Sequence, residues 1–318
     1  MNVHIKWLSL FVGSTFGTLV IFVGAVVGLV DSTAMMTYKR SMVAFKLARL
    51  EQAQRQPHVI FVSGSNALYS IDSMSIQQRI GRPVTNAAVH WGLALYMVEE
   101  VVKRARSGDI IILPMEYSLY TGPTPSETEA CYQIAQARTR LKRLDDWILA
   151  IRTCPQRWLG YAIILKIQQA TIGGGVFSAV AELNPSGDIL INTPSKATPR
   201  NYAASPTEPP ESATGTGFAR LERAIRIGKR KGVRFAVTFP VMPMPSKNAR
   251  LQIERWEKII RRWAKKNRID VLSSSDKHYF PSHCFFDTIY HLHRGCSPQN
   301  SEIYASAIMR AIRSGRYP

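Results

Sequence analysis

Residues 7–30 contain no charged side chain and read WLSLFVGSTFGTLVIFVGAVVGLV. A helix needs about 20 apolar residues to cross a bilayer, so this run is long enough to span one. A cleaved signal peptide carries a shorter apolar region, about 7–15 residues. The length therefore predicts an uncleaved transmembrane anchor over residues 1–30, with cleavage after the small residues Val23-Gly24-Ala25 or Ser32-Thr33-Ala34 as the alternative. Residues 31–56 read as a helical stalk bearing Lys39, Arg40, Lys46 and Arg49. Beyond them the pattern alternates. Residues 58–62 (HVIFV) predict a strand, which ends in Ser63-Gly64-Ser65-Asn66, and residues 67–80 predict a helix. A second strand is expected over 83–88, a helix over 92–106 and a third strand over 109–113. The near-continuous apolar run of this third strand suits burial on both faces.

Residues 126–170 read as helical. Residues 171–216, rich in Gly, Pro, Ser and Thr, read as an exposed, partly mobile insertion. Helices over 217–230 and 248–266 flank a fourth strand over 233–239. A fifth strand over 269–272 and a helix over 301–313 follow. Alternating strands and helices predict an α/β domain over residues 57–318, a parallel sheet with helices on both faces. Ligands in such sheets bind beyond the carboxyl ends of the strands, where strand order reverses.

Hydrophobic residues at 46% and charged residues at 20% exclude disordered and collagen-like classes for the 318-residue chain. Lys and Arg number 41 against 22 Asp and Glu, a net charge of +19 that attracts nucleic acid, an acidic membrane surface or an acidic polymer. Cysteine usage narrows the choice. Cys131, Cys154, Cys284 and Cys296 show neither CxxC nor Cys/His zinc spacing. An even count behind an export-type N-terminus fits two disulfides in an oxidising compartment, with 131–154 and 284–296 the preferred pairing and four reduced buried thiols the alternative. Both features place the folded part outside the cytoplasm, which removes nucleic acid as an expected partner. The charges flanking the span (Lys6 before it; Asp31, Lys39 and Arg40 after it) favour a cytoplasmic N-terminus only by a narrow margin. Basic residues within 220–231 and 255–266 recur at helical spacing opposite apolar ones, so they read as solvated helix faces rather than a site.

Two strand ends carry candidate chemistry. A serine beside glycine in a strand-to-helix turn projects its hydroxyl, and the turn's N–H groups can face a developing oxyanion, which makes Ser65 a candidate nucleophile. The turn is no Gly-x-Ser-x-Gly elbow, since position 67 is Ala, and small polar residues also end strands with no catalytic role. After the fifth strand, FFDTIYHL (residues 285–292) brings Asp287 and His291 together. His291 would take the Ser65 proton while Asp287 orients the imidazole. A turn-capping Asp/His pair is the plain alternative, and His283 and His293 rank below His291 as the base. There is no Walker loop and no GxGxxG, and Gly173-Gly174-Gly175 follows no clear strand, so no metal, nucleotide or other cofactor is expected.

Together, GSN after the first strand and DTIYHL near the C-terminus resemble the SGNH (GDSL-like) hydrolase superfamily over residues 58–310, with a large insertion relative to it at about 121–216. The resemblance implies a three-layer, flavodoxin-like parallel sheet, here behind one transmembrane helix. It also implies a Ser65–His291–Asp287 triad with an oxyanion hole of the Ser65 N–H, a glycine after strand two and an asparagine after strand three. NAAVHWG (residues 86–92) supplies Gly92 as the glycine donor. The third block departs from the pattern: Pro114-Met115-Glu116-Tyr117 holds no Gly-x-Asn-Asp, leaving Tyr117 or Asn66 as replacement donors. The Asp-to-His spacing is one residue longer than DxxH. The N-terminal span is similar to the membrane-anchored branch, which includes the D-alanine transfer protein and accessory proteins of polysaccharide O-acetylation. That branch implies an inner-membrane, single-pass protein with its domain in the periplasm or extracytoplasmic space. It would act as an acyltransferase or esterase on a cell-surface or secreted polysaccharide, beside a membrane-bound O-acyltransferase. The alternative is a non-catalytic, glycan-binding scaffold subunit.

Overall fold

The computed structural model describes residues 34–52, 56–122, 183–189 and 206–317 except 287, together with helical positions 7, 11–15, 17–18, 129 and 132. The chain divides into two compact units, Met1–Arg40 with Glu127–Ser178, and Ser41–Ser126 with Ala179–Pro318. In the first, the hydroxyls of Ser14 and Thr18 donate to the carbonyls of Phe11 and Ser14, so each polar group is satisfied within its own helix. Among the described residues no helix is long and apolar enough to cross a membrane; most of residues 7–30 lie outside them.

In the second unit the elements alternate as an α/β fold. Helix α1 (Ala34–Gln52, of which residues from Ser41 belong here) leads to β1 (Val59–Phe61), α2 (Ser65–Ser70), α3 (Ser73–Ile80) and β2 (Val84–Asn86). A 3-10 turn (Trp91–Leu93) opens α4 (Ala94–Arg104), followed by β3 (Ile110–Leu113) and the short α5 (Ser118–Thr121). Then come α6 (Thr216–Arg230), β4 (Arg234–Val237), β5 (Met242–Pro243), α7 (Lys247–Lys266), β6 (Asp270–Val271), β7 (Tyr279–Phe280) and α8 (Ser297–Arg313). Five strands form one parallel sheet in the order β2-β1-β3-β4-β6. A second parallel pair, β5-β7, lies in segments that the apolar pattern does not mark.

Sheet register assigns the helices to faces. Phe61 pairs with Ile112 and contacts the Tyr304 ring on α8 at 5.2 Å between centroids. The adjacent row, Ile111 with Phe235, points the other way, and Phe235 abuts Gly228 of α6, itself beside Val102 of α4. Both faces are therefore covered, and β1 and β3 are wholly buried. An aromatic cluster locks α5, α6 and α7 together: Tyr120–Phe218 at 4.7 Å, Phe218–Trp263 at 5.4 Å and Tyr117–Trp256 at 5.4 Å. Helix α7 follows from its sequence. Ser246 caps its first turn by accepting from the Ala249 N–H, and Ile253, Trp256, Ile260 and Trp263 recur at three- and four-residue steps on the buried face.

Several boundaries differ from the pattern for local reasons. Residues 67–80 form two helices rather than one, because the Asp72 carboxylate accepts from the Ser75 N–H and starts a new helix there. His58 and Asp109 are not strand residues. They close the amino edge of the sheet, with the Asp109 carboxylate accepting from the His58 and Arg106 N–H groups. Part of the expected exposed insertion is core. Residues 183–189 fold into a tight turn bridged at Leu183 and Ile189, and the Ser186 carbonyl accepts from the Asn86 N–H at the end of β2. The helix expected over 126–170 and the Gly173–Gly175 loop lie outside the described residues, apart from helical positions 129 and 132.

That turn carries a buried polar knot. The Asp188 carboxylate accepts from the Ser73 N–H and hydroxyl, Asn86 Nδ2 and Asn184 Nδ2 at 2.7–3.0 Å. Lys46 of α1, fully buried, donates to the carbonyls of Asn86 (2.9 Å) and Gly187 (2.8 Å), fastening the stalk helix to the sheet edge. Burial pushes the Lys46 ammonium down from 10.5 to about 7, and the Asp188 carboxylate opposes this only in part. Between those values the unfolded chain binds the proton that the folded chain has released, so this group makes stability rise with pH from about 7 to about 10.5. Thermal melts of the full chain and of Lys46→Met across that window test the point: the substitution should flatten the rise, and an unchanged slope would exclude Lys46 as its source.

Candidate active site

Three adjacent strands release their chains at one edge of the sheet, and the turn after β1 is pinned there. The Val62 N–H donates to the Ile112 carbonyl (3.0 Å) and the Ser63 hydroxyl to the Pro114 carbonyl (2.7 Å), tying the ends of β1 and β3 together. Ser65 then opens α2, half-buried at the carboxyl edge. Gly64 stands where the chains crowd: a Cβ there would lie 2.7 Å from Glu116 Oε1 and 3.1 Å from Trp91 Cα. Its φ of −76° is open to any residue, so contact rather than backbone conformation demands glycine.

Glu116, two residues after Pro114, is the side chain that the turn closes upon. Its Oε1 accepts from the Asn66 N–H at 2.8 Å and from the Ser65 hydroxyl at 3.3 Å, and the residue is only 3% exposed. Burial drives its carboxyl above the ordinary carboxylate range, and the Asn66 N–H, His291 and the Ser65 hydroxyl pull back only in part. Glu116 is not among the donors expected from the sequence, which are Tyr117 and Asn66. The available signal was a carboxylate following directly on an all-apolar strand buried on both faces, at the edge where ligands bind.

His291 arrives from the C-terminal loop. Its ring packs on Tyr69 (4.4 Å between centroids), one turn after Ser65 on α2, and on Phe286 (5.5 Å). The Ser70 hydroxyl donates to the Tyr290 carbonyl at 3.3 Å, a second tie between α2 and this loop. A disulfide joins Cys284 to Cys296, and the loop base is closed by the bridge between Phe285 and Leu292 and by the His293 N–H donating to the Cys284 carbonyl. His283 lies within 4.8 Å of both sulfurs, but sulfurs bonded to each other offer no thiolate to a metal. Asp287, Cys131 and Cys154 lie outside the described residues.

The remaining expected donors fare differently. Gly92 follows Trp91 in the 3-10 turn beside Gly64, and its N–H donates to His90 Nδ1 at 3.3 Å. Asn66, the other expected replacement donor, is already engaged at the strand ends. Its Nδ2 donates to the Pro114 carbonyl and its Oδ1 accepts from the Val241 N–H, so the fully buried amide braces the ends of β1, β3 and β4. Tyr117 stands with its ring wholly buried on Trp256, inside the aromatic cluster, and among the described residues its hydroxyl has no hydrogen-bond partner.

A second polar constellation has triad-like distances. Ser273 Oγ lies 2.7 Å from His278 Nε2, and His278 Nδ1 lies 2.8 Å from Asn300 Oδ1. His278 and Asn300 are fully buried, Thr238 Oγ1 shares both Ser273 Oγ and His278 Nε2, and burial pushes the imidazole down to about 4. We read it as a structural tie. Asn300 Nδ2 continues it to the Ser70 carbonyl, linking α8 to α2. Alongside the Ser65 edge, Tyr69 also lines a cavity of about 250 Å³ with Met74, Gln78, Asn184 and Arg294.

Gly64→Ala should separate the three strand ends. The added methyl meets a backbone atom on one side and a buried carboxylate on the other, an overpacking that costs about 1–3 kcal/mol. Denaturant unfolding of the full chain checks this, and an unchanged midpoint would show that the turn is looser than its contacts imply. No family model matches this chain, and no curated protein matches it either.

Proposed function

We propose that this chain is a membrane-anchored, extracytoplasmic serine acyltransferase or esterase of the SGNH type, acting on acyl groups, acetyl foremost, of a cell-surface or secreted polysaccharide. The observation that carries this reading is that Glu116, at the carboxyl ends of β1 and β3, accepts from the Ser65 hydroxyl and feels the charge of His291, whose ring packs on Tyr69 of the helix that Ser65 opens. The order β2-β1-β3-β4-β6, which is 2-1-3-4-5 when only the strands of this sheet are counted, matches flavodoxin-like sheets, in which this is the switch point where ligands bind. The Ser65 hydroxyl attacks the acyl carbonyl and passes its proton to His291, with Asp287 as the expected orienting carboxylate. The imidazolium returns the proton to the departing alcohol, leaving an acyl-serine. Water as acceptor completes hydrolysis, and a sugar hydroxyl completes transfer. The Ser65 and Gly92 N–H groups serve the oxyanion, which requires Gly92 to give up His90. The cavity beyond Tyr69 offers an aromatic and polar surface for the acceptor.

The apolar run over 7–30 supports anchoring in the inner membrane, and the Cys284–Cys296 disulfide supports an oxidising compartment outside the cytoplasm. A membrane-bound O-acyltransferase as donor partner rests on the resemblance alone. One observation favours a second reading, a non-catalytic glycan-binding scaffold: the Ser65 hydroxyl donates to a carboxylate.

Incubating the detergent-solubilised full chain with p-nitrophenyl acetate, with intact mass spectrometry alongside, separates the two. The acyl-transfer reading expects one acetyl adduct on Ser65, and turnover that falls by at least about 10³-fold in Ser65→Ala. No adduct and no Ser65-dependent turnover from folded protein would favour the scaffold.

A further inference from the structure

Glu116 occupies the place where the resemblance expects an asparagine amide, and an ionised carboxylate there would repel the oxyanion that the site must stabilise. We propose that Glu116 acts as a neutral carboxylic acid whose Oε2–H is the third donor to the acyl oxyanion. This inference rests on the acyl-transfer reading above and adds a catalytic residue to it.

The geometry assigns the proton. Both donors near the carboxyl, the Asn66 N–H and the Ser65 hydroxyl, converge on Oε1, which therefore serves as the carbonyl oxygen. Among the described residues Oε2 has no hydrogen-bond partner, so it is the oxygen available to carry the proton. Gly64 keeps Glu116 Oε1 against the turn, where any side chain would push it away. The groups acting on the carboxyl are the Asn66 N–H and Ser65 hydroxyl at the start of α2, and His291 and Tyr290 in the C-terminal loop. His291 alone among them becomes cationic, and burial outweighs its pull. A buried acid held neutral so that it can donate a hydrogen bond has precedent in ketosteroid isomerisation.

The step balances without a co-reactant. The Ser65 oxygen bonds to the acyl carbon as its proton passes to His291, and the carbonyl π pair moves onto oxygen. Glu116 keeps its proton and shares it with that oxygen. Collapse restores the carbonyl, the ester C–O bond breaks, and the leaving alkoxide takes the proton from His291.

Activity then needs a neutral His291 and a protonated Glu116. It falls as pH climbs through the raised Glu116 value. The test is a pH profile of kcat/KM for p-nitrophenyl acetate with the full chain, its Glu116→Gln and its Glu116→Ala. Glu116→Gln, which supplies an N–H in place of the O–H, should lose no more than about tenfold at the optimum and lose the Glu116 alkaline limb. Glu116→Ala should lose about 10²–10³-fold. A Glu116→Gln as inactive as Ser65→Ala would overturn the proposal, since Glu116 would then be the base. Infrared difference spectroscopy provides a readout independent of turnover: a protonated-carboxyl band at neutral pH, absent in Glu116→Gln. Its absence from the parent protein sinks the neutral acid outright. A band without Ser65-dependent turnover would sink the acyl-transfer reading, and the donor role with it, while leaving Glu116 neutral.

Discussion

Strand β1 is three residues long, hydrogen-bonded on both edges and fully covered on both faces. No polar side chain fits inside such a strand without a partner, so polarity is displaced to its ends. At the amino end, His58 and Asp109 bond each other. At the carboxyl end, Ser63, Asn66 and Glu116 tie β1 to β3, and this polar cluster is also where Ser65 stands. The buried strand thus produces the site as well as the fold.

Most polar side chains at this edge are braces. Asn66 joins three strand ends, Asp188 and Lys46 fasten the 183–189 turn and the stalk helix to β2, and His278 with Asn300 ties α8 to α2. Each is buried and hydrogen-bonded, and removing one partner would strand the others at a cost of about 1–3 kcal/mol per unmet group. Against that background Glu116 differs: one of its oxygens is doubly engaged and the other is not. That asymmetry sets Glu116 apart from the braces around it.

The C-terminal loop follows a different logic. Among its described residues a disulfide, the bridge between Phe285 and Leu292 and ring contacts hold it. Closing a short loop by a disulfide removes freedom mainly from the unfolded chain. In the folded protein the same link sets where His291 can lie relative to α2.

The hydrophobic pattern by itself determined the alternation of elements, the parallel sheet, the serine at the end of β1 and the bracketing of the His291 loop by two cysteines. Each is a local property, readable from strand length, helical spacing or residue order. Only the tertiary structure decided that Asn66 and Tyr117 face inward, that residues 183–189 belong to the core and that Glu116 meets Ser65. Those facts join residues about 50 or more positions apart, or depend on which way a side chain turns at a strand end. Neither periodicity nor composition records such contacts, because both are sums over neighbours along the chain, whereas burial and hydrogen bonding are settled by neighbours in space.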